Sequence, residues 1–435
     1  MASSDVSAPG GGAAPPRRGR RRWLWLVVAA GLVVAGGLLA LGWAAWEERS
    51  ARQALAEDHL DEAQRHIDRA LRVRRWESSN VLAARIARLR GDYSEAERAL
   101  DRCGHGAEMS EPVQLEWRLL RCQRGAVDEL GPGLLALVDR DHAESATILE
   151  ALAAVYMQQT RYLEALSCLD RWVERDPDSV RARHWRGWVS NQIDHRAGAI
   201  RDYERLLELQ PNRADVRQHL AEILVDSSRP GDALPHLERL YDEQPDNPDV
   251  VVLLARCWMH QGRTAEARDL FDSVLALHPN HFEALLHCGN LELSAGRVSA
   301  AERRLRQAIA QKPFSAEAHY ALYRCLQSRP NRQEEAVKQR ARWEQVDATQ
   351  ARLRRLLRTE LAANPNNPEL AREAGELLLG IGEDQRGLFW LHRALRLKPG
   401  HAATLRALIA YYQRTNNPDK VAQYRRQLAG RGPGQ

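Results

Sequence analysis

The feature that most constrains this chain is a proline that recurs every 34 residues through its middle. The prolines are Pro177, Pro211, Pro245, Pro279 and Pro313. Alanine stands twelve residues before each proline, and a large apolar residue stands eight before it. A small residue stands 24 before each, at Ala153, Gly187, Ala221, Ala255 and Gly289. Three residue classes in phase over five periods predict one structural unit built many times.

Each period predicts two amphipathic helices joined by a short turn, and residues 248–279 show the pattern. Val251 and Trp258 belong to an apolar stripe at helical spacing, Gly262 interrupts it, and a second stripe follows. Pro279 ends the second helix because it has no amide hydrogen and clashes with the preceding turn. The period is therefore a helix-turn-helix unit.

Polar residues near the start of each unit predict helix caps. Asn212, Asn280 and Ser315 follow the repeating prolines and are expected to accept hydrogen bonds from free amides. Asn247 and Asn367 each precede a proline suited to the first helical turn.

This pattern resembles the tetratricopeptide repeat family, whose period is 34 and whose small, small, large, alanine and proline scheme matches residues 146–315 as five regular repeats. The resemblance implies an all-α, right-handed superhelical solenoid of helix-turn-helix repeats. Residues 47–145 read as degenerate helical repeats, and residues 366–435 as C-terminal repeats and a cap. Residues 316–365 read as a repeat with a long helical insertion, because 52 residues separate the prolines that flank it.

Residues 333–362 contain no glycine or proline and predict one long helix within this insertion. Between positions 338 and 358 it carries seven basic residues and two acidic ones. Three interpretations stay open: a solvated helix face, a site for an acidic partner, and a bend between two solenoid lobes.

Residues 23–46 hold no charge and predict a transmembrane helix. At 1.5 Å per residue they span about 36 Å, more than the roughly 30 Å hydrocarbon core. Five arginines precede the span, so residues 1–22 are expected to be a disordered basic tail in the cytoplasm, with the repeats extracytoplasmic. The preferred location is the bacterial cytoplasmic (inner) membrane. A cleaved signal peptide is the alternative, although its apolar region is usually shorter.

The charge pattern argues against a nucleic-acid partner. The chain carries a formal charge of +5, and the five arginines and one aspartate of residues 1–46 supply +4, which leaves +1 for the rest. No C-x-x-C, P-loop, G-x-S-x-G or H-E-x-x-H motif occurs. We therefore expect no catalysis, no cofactor and no metal site. Single buried thiols are expected for the six cysteines, with Cys257–Cys288 or Cys103–Cys122 as alternative pairs.

The family resemblance also implies where a partner would bind. In tetratricopeptide arrays the first helix of each unit lines a concave groove that holds a peptide or a partner helix. By phase, the groove residues of this chain would be His184, Trp188, Asn191, Arg256, Met259, Leu286, Asn290, Tyr320 and Arg324.

The sequence therefore predicts a membrane-tethered, non-catalytic scaffold that binds a protein or peptide. Two alternatives stay open: an accessory chaperone or assembly factor for envelope or translocon clients, and a regulatory subunit of a membrane enzyme complex. Homo-oligomerisation is compatible with the small-residue ladder Gly36, Ala40 and Ala44 in the predicted span.

Overall fold

The structure is a computed structural model that describes residues 18–74, 76–104 and 109–429, with side chains from residue 31 onward except that of Ala362. Every regular element in these ranges is helical. The chain divides into two compact units, residues 1–130 and 131–435. The predicted disordered tail falls mostly outside the described ranges.

The first unit is a run of helices, each packed on the next along the chain. They are α1 (Arg18–Ala56), α2 (Leu60–Val73), α3 (Glu77–Leu89), α4 (Tyr93–Asp101) and α5 (Glu111–Arg121), followed by a π-type turn at Cys122–Ala126. The core is closed by small and aliphatic residues such as Ile67, Ile86 and Leu100, each at most 1% exposed. Glu116 is buried with them and accepts hydrogen bonds from Arg85 at 2.7 Å and Arg88 at 3.1 Å.

Helix α1 contains the predicted transmembrane span and continues into the first unit. Among the residues whose side chains the structure describes, no helix is both long enough and apolar enough to cross a membrane. Residues 23–30 of the predicted span lie outside that set. The end of the span packs on protein: Ala44 is fully buried, and the Trp46 ring lies 6.1 Å from that of His66 on α2. Residues 31–39, which precede Ala44 and Trp46 on the same helix, are all exposed.

Helix α6 (Val127–Asp139) crosses the division between the units, and paired helices follow it. The regular repeats comprise α7 (Ser145–Gln158), α8 (Tyr162–Arg175), α9 (Val180–Gln192), α10 (Arg196–Leu209), α11 (Ala214–Asp226), α12 (Pro230–Glu243), α13 (Pro248–His260), α14 (Thr264–Leu277), α15 (Phe282–Ser294), α16 (Val298–Gln311) and α17 (Ala316–Gln327). From α7 through α17 each helix packs on the next, which is the helix-turn-helix stacking that the period predicts.

The phase of the repeat has the expected physical basis. Helices α8, α10, α12, α14 and α16 each end two residues before a repeating proline. The glycines of the first helices let large residues of the second helices approach. A Cβ at Gly187 would lie 2.8 Å from Tyr203 Cε1, and one at Gly289 would lie 2.8 Å from Leu305 Cδ2. The small positions of the first helices thus make room for the large positions of the second helices.

The cap predictions are confirmed only in part. The side chain of Ser315 accepts from the amide of Ala318 at 3.2 Å, and Asn247 and Asn367 cap their helices in the same way. The predictions for Asn212 and Asn280 are wrong, because their helices start one residue later than expected. Arg213 precedes α11 without a side-chain cap, and the ring of His281 accepts from the first turn of α15. The loops that follow Pro211 and Pro279 are therefore one residue longer than predicted.

The insertion forms α18 (Gln333–Arg355), which continues through a π-type turn at Leu356–Glu360 into α19 (Leu361–Ala363). A 3₁₀ turn at Pro330–Arg332 precedes it. Beyond it lie α20 (Pro368–Gly380), α21 (Asp384–Leu397), α22 (Ala402–Arg414) and α23 (Pro418–Ala429). Helix α18 packs on both α17 and α20, so it connects two runs of repeats.

Much of the basic charge of α18 is held within the protein. Arg352 lies 2.7 Å from Glu373 and also bridges Glu360. Arg340 pairs with Glu344 at 2.8 Å. The Arg340–Glu344 pair lies within the exposed face of the helix, whereas the Arg352–Glu373 pair joins the helix to α20 and favours a packed connecting helix.

Candidate partner-binding surface

The predicted groove residues all lie on the first helices of the repeats. Helix α11 packs on α13, α13 on α15, and α15 on α17, in addition to the packing of each helix on its own partner. The faces of these helices that turn away from their partners therefore adjoin one another. We call the face formed by α9, α11, α13, α15 and α17 the first-helix surface.

Most of the predicted residues are accessible on this surface, but one is not. Leu286 is 0% exposed and belongs to the core formed with α16 and α17, so its assignment to the groove is wrong. Its position on the helix faces the next repeat. Met259 is half-buried and packs against the core between α13 and α15. Asn191 is exposed, and Asn290 is half-buried.

On α9 the predicted residues are engaged by aromatic neighbours. The Trp188 ring meets that of Tyr162 edge to face at 5.7 Å. The His184 ring lies 6.2 Å from Tyr203 and 6.4 Å from His219. Both side chains therefore contribute to packing between helices as well as to the surface.

A second aromatic group lies at the far end of the surface, on α17 and α18. Tyr320 is 41% exposed, and its ring centroid lies 4.8 Å from that of Trp343. Tyr323 stacks on the same Trp343 ring, and the Arg324 guanidinium lies 6.0 Å from the Tyr320 centroid. The connecting helix thus contributes Trp343, which the repeat phase alone does not identify.

Between these groups Arg256 stands among carboxylates. Its Nη2 lies 2.5 Å from Asp226 Oδ1 on α11. Its charge also acts on Glu222 of the same helix and on Glu317 of α17. The sequence reasoning missed these acids, although Glu222 lies 34 residues from both Trp188 and Arg256 and so shares their phase.

A further acidic series follows the same spacing. Asp215, Asp249, Glu283 and Glu317 each lie in the first turn of a first helix. Carboxylates at helix N-termini are stabilised by the helix dipole, which explains the series without a partner. It nevertheless adds negative charge to one edge of the surface.

The surface curves toward the side that carries these charges. Burial, then Glu283, then Asp226 raise the pKa of Glu317, with Arg256 opposing them. Packed helices lie 8–10 Å apart, so a flat array would separate α11 from α17 by about 30 Å, where salt screens exposed charges. Asp226 and Glu317 therefore lie closer together than a flat array would place them, as they do on a concave surface.

Concavity also explains how accessible carboxylates can be partly dehydrated. Glu222 is exposed to solvent, yet protein around it raises its pKa, and Asp226 adds to that rise. Near it, His287 is enclosed by α13, α14 and α15, and burial lowers its pKa to about 3. The ionised forms of Glu222 and Glu317 are thus less favourable than they would be in water.

The described residues give no metal-binding geometry, since none of their His, Cys, Asp and Glu side chains form a group of three that could hold an ion. All six cysteines are free thiols, so the alternative pairs Cys257–Cys288 and Cys103–Cys122 are not formed. The surface is suited to contacts by charge, hydrogen bonds and aromatic rings.

Two family models for tetratricopeptide repeats match this part of the chain, one over residues 150–214 and the other over 224–286 and 259–325. Tetratricopeptide repeats are therefore found here. A UPF0162 protein of Xylella fastidiosa is 35% identical over 79 residues, which are 18% of this chain. The chain spans 28% of that relative's length.

Solved structures show limited similarity. A tetratricopeptide repeat protein from Parabacteroides merdae has a TM-score of 0.37 at 15% identity, covering 65% of this chain and 99% of its own. YrrB, described as a TPR protein with an unusual peptide-binding site, has a TM-score of 0.35 at 22% identity, covering 42% and 94%. PilW, described as a type IV pilus biogenesis factor, has a TM-score of 0.37 at 17% identity, covering 52% and 96%.

Proposed function

We propose that this protein is a non-catalytic scaffold, tethered to a membrane through its N-terminal helix, that binds a segment of a partner protein on the first-helix surface. The tetratricopeptide repeats supply the wall, because a repeat array presents a continuous face that no single repeat has. The predicted anchors are Trp188, Arg256, Tyr320 and Arg324, since aromatic and arginine residues carry most interface energy.

The observation that carries the proposal is the group of carboxylates around Arg256 on the accessible first-helix surface, Asp226, Glu222 and Glu317, in which burial raises the pKa of Glu222 and Glu317. A raised carboxyl pKa means that the folded protein disfavours the ionised form, so these groups weaken the fold at neutral pH. A lysine or arginine from a partner would relieve that cost by pairing with them. The partner segment is therefore expected to be basic.

Site-specific photo-crosslinking in cells tests this proposal. A benzoylphenylalanine at position 290 replaces Asn290, a half-buried residue in phase with Arg256 and Arg324. A second protein carries the same crosslinker at Asp269, an exposed residue on the second helix α14. One dominant adduct is expected at position 290 and not at 269, identified by mass spectrometry.

Charge variants give the matched comparison. The pair Glu222→Gln and Glu317→Gln should reduce the adduct at position 290, while Glu238→Gln with Asp269→Asn, both on second helices, should leave it unchanged. Raised salt should weaken it too, because exposed charge pairs are screened. Equal adducts at both positions would place the partner elsewhere, and many different adducts would favour an accessory chaperone.

Exposed apolar side chains on α1 support the membrane anchor. Leu32, Val33, Leu38 and Leu39 are 65–76% exposed. Because Ala44 is fully buried and the Trp46 ring meets His66 of α2, we shorten the proposed membrane segment to residues 23–43, which at 1.5 Å per residue span about 32 Å. That length still matches the hydrocarbon core.

Arginines before the segment put the proposed N-terminus in the cytoplasm and the repeats outside it. Protease added to bacterial cells with a permeabilised outer membrane should digest the repeats, and alkaline washing should leave the full chain in the membrane. Complete protection of the repeats, or a mature N-terminus near residue 43, contradicts this topology.

A further inference from the structure

Two distant parts of the second unit meet at a cleft that neither the repeat family nor the first-helix surface accounts for. Arg393 on α21 donates from Nη1 to Gln159 Oε1 at 2.7 Å, across 234 residues of sequence. Arg358 donates from Nη2 to the carbonyl of Gln192 at 3.0 Å. Beside these bonds the two parts enclose a cleft of about 230 Å³. That volume is below the range of drug-sized ligand sites, so the cleft suits a small ligand.

The cleft has a mainly apolar lining. Leu163 and Ile193 come from the regular repeats, and Leu357, Leu361 and Trp390 come from the C-terminal part. Leu163 is 49% exposed, although it lies among other apolar side chains. Such a lining suits an aliphatic or aromatic body rather than a sugar or a nucleotide.

One polar atom in the cleft lacks a protein partner. Trp390 is 2% exposed, and its Nε1–H donates to no acceptor among the described residues. A buried tryptophan N–H usually finds an acceptor, because leaving it without one is costly. An acceptor on a ligand bound in the cleft would satisfy this donor.

The charges around the cleft favour an anion. Arg161, Arg358 and Arg393 line it, with Glu164 as the one carboxylate among the lining residues. Glu164 is paired with Arg161 at 2.6 Å. The Arg393 guanidinium lies 5.5 Å from the Trp390 ring centroid, so positive charge stands beside the Nε1–H donor. Each arginine is fixed by a protein partner and adds to the local potential.

We infer that this cleft binds a small amphiphile, an apolar chain ending in a carboxylate, with the carboxylate at Trp390 Nε1 and the chain among Leu163, Ile193 and Leu361. The ligand would bridge two parts of the array that only a few hydrogen bonds now join. The inference goes beyond the proposed partner binding and does not depend on it.

Hydrogen–deuterium exchange of the full chain in a non-ionic detergent tests this site with octanoate as the probe. Octanoate should slow exchange in peptides covering residues 160–164 and 357–365 together, because the ligand contacts both. Octan-1-ol, which has the same chain without the charge, should protect them more weakly.

Two substitutions separate the charge from the fold. Trp390→Phe keeps an aromatic ring but removes the donor. It should weaken octanoate binding about tenfold and octan-1-ol binding by less, because the alcohol oxygen accepts a weaker hydrogen bond than a carboxylate does. Leu163→Glu places a negative charge at the mouth, at a side chain exposed enough to tolerate it. It should weaken octanoate binding severalfold relative to its neutral control, Leu163→Gln.

Three results would overturn the inference. One is no protection of either peptide by octanoate. Another is equal binding of octanoate and octan-1-ol, with no difference between Leu163→Glu and Leu163→Gln. The third is tighter binding of acetyl-Ala-Ala-Leu than of octanoate, which would assign the cleft to a protein C-terminus instead.

Discussion

His287 should make the second unit less stable in mild acid. Its side chain is 14% exposed, and its ring stacks on Phe271 with centroids 6.0 Å apart. Burial lowers its pKa from 6.5 to about 3, and Arg256 and His260 add to the effect. The Glu283 carboxylate, 3.7 Å from Nε2, opposes it but is 40% exposed, so burial prevails.

The direction and the size of the effect follow from that pKa. Below pH 6.5 His287 is protonated in the unfolded chain, whereas in the folded protein it stays neutral down to about pH 3. The free energy of unfolding therefore falls as the pH falls through this window. Between pH 7 and pH 5 the unfolded histidine gains most of one proton. At about 1.4 kcal/mol per pH unit, the free energy of unfolding should drop by about 2 kcal/mol from this residue alone.

Urea denaturation followed by circular dichroism at pH 7.0 and pH 5.0 measures the drop. His287→Gln is neutral at both pH values and should lose about 2 kcal/mol less than the native protein over this interval. His278→Gln, at an exposed position after α14, serves as the control and should behave as the native protein does. If His287→Gln and the native protein lose the same stability, the histidine is not held neutral, and the enclosure by α13, α14 and α15 is wrong.

Three further predictions concern the repeat geometry, and the same denaturation assay at pH 7 measures them. Gly375→Ala should lower the free energy of unfolding by about 1–3 kcal/mol, because its Cβ would lie 2.9 Å from the backbone oxygen of Gly387. In the control Gly231→Ala the new Cβ meets nothing within 4 Å, so the free energy of unfolding should not fall. Ser228→Gly should raise the free energy of unfolding by up to about 1 kcal/mol, since the φ of Ser228, 57°, is left-handed. At the equivalent turn Gly262 has a φ of 80°, so Gly262→Ala should lower the free energy of unfolding by about the same amount. Ala267→Leu should cost about 1–3 kcal/mol, because the alanine is fully buried.

The repeat architecture was predictable because its determinants are local and periodic. A proline that cannot continue a helix fixes where the second helices α8, α10, α12, α14 and α16 end, and a missing side chain at Gly187 or Gly289 fixes where two helices touch. Helix starts were less predictable. Asn280 and His281 are both suitable caps, and only the loop conformation decides that His281 is used.

The cleft beside Arg393 could not be predicted in this way. Its two sides are brought together by small rotations between successive repeats. The 34-residue period does not specify how large the total rotation is. The connecting helix α18 adds a step that departs from the period. Gln159 and Arg393 each read as an ordinary polar residue on a repeat helix, so nothing in the sequence pairs them.

The first-helix surface is an intermediate case, and its chemistry bears on the kind of partner that fits it. The phase of Trp188 continues every 34 residues through Glu222, Arg256, Asn290 and Arg324. Glu222 was overlooked because aromatic and arginine residues are the usual anchors, although the phase already included it. The residues at this phase differ in charge and size from one repeat to the next, so each repeat favours a different type of partner residue. It fits one partner sequence in one register better than it fits interchangeable apolar clients, since a displaced partner would place like charges together.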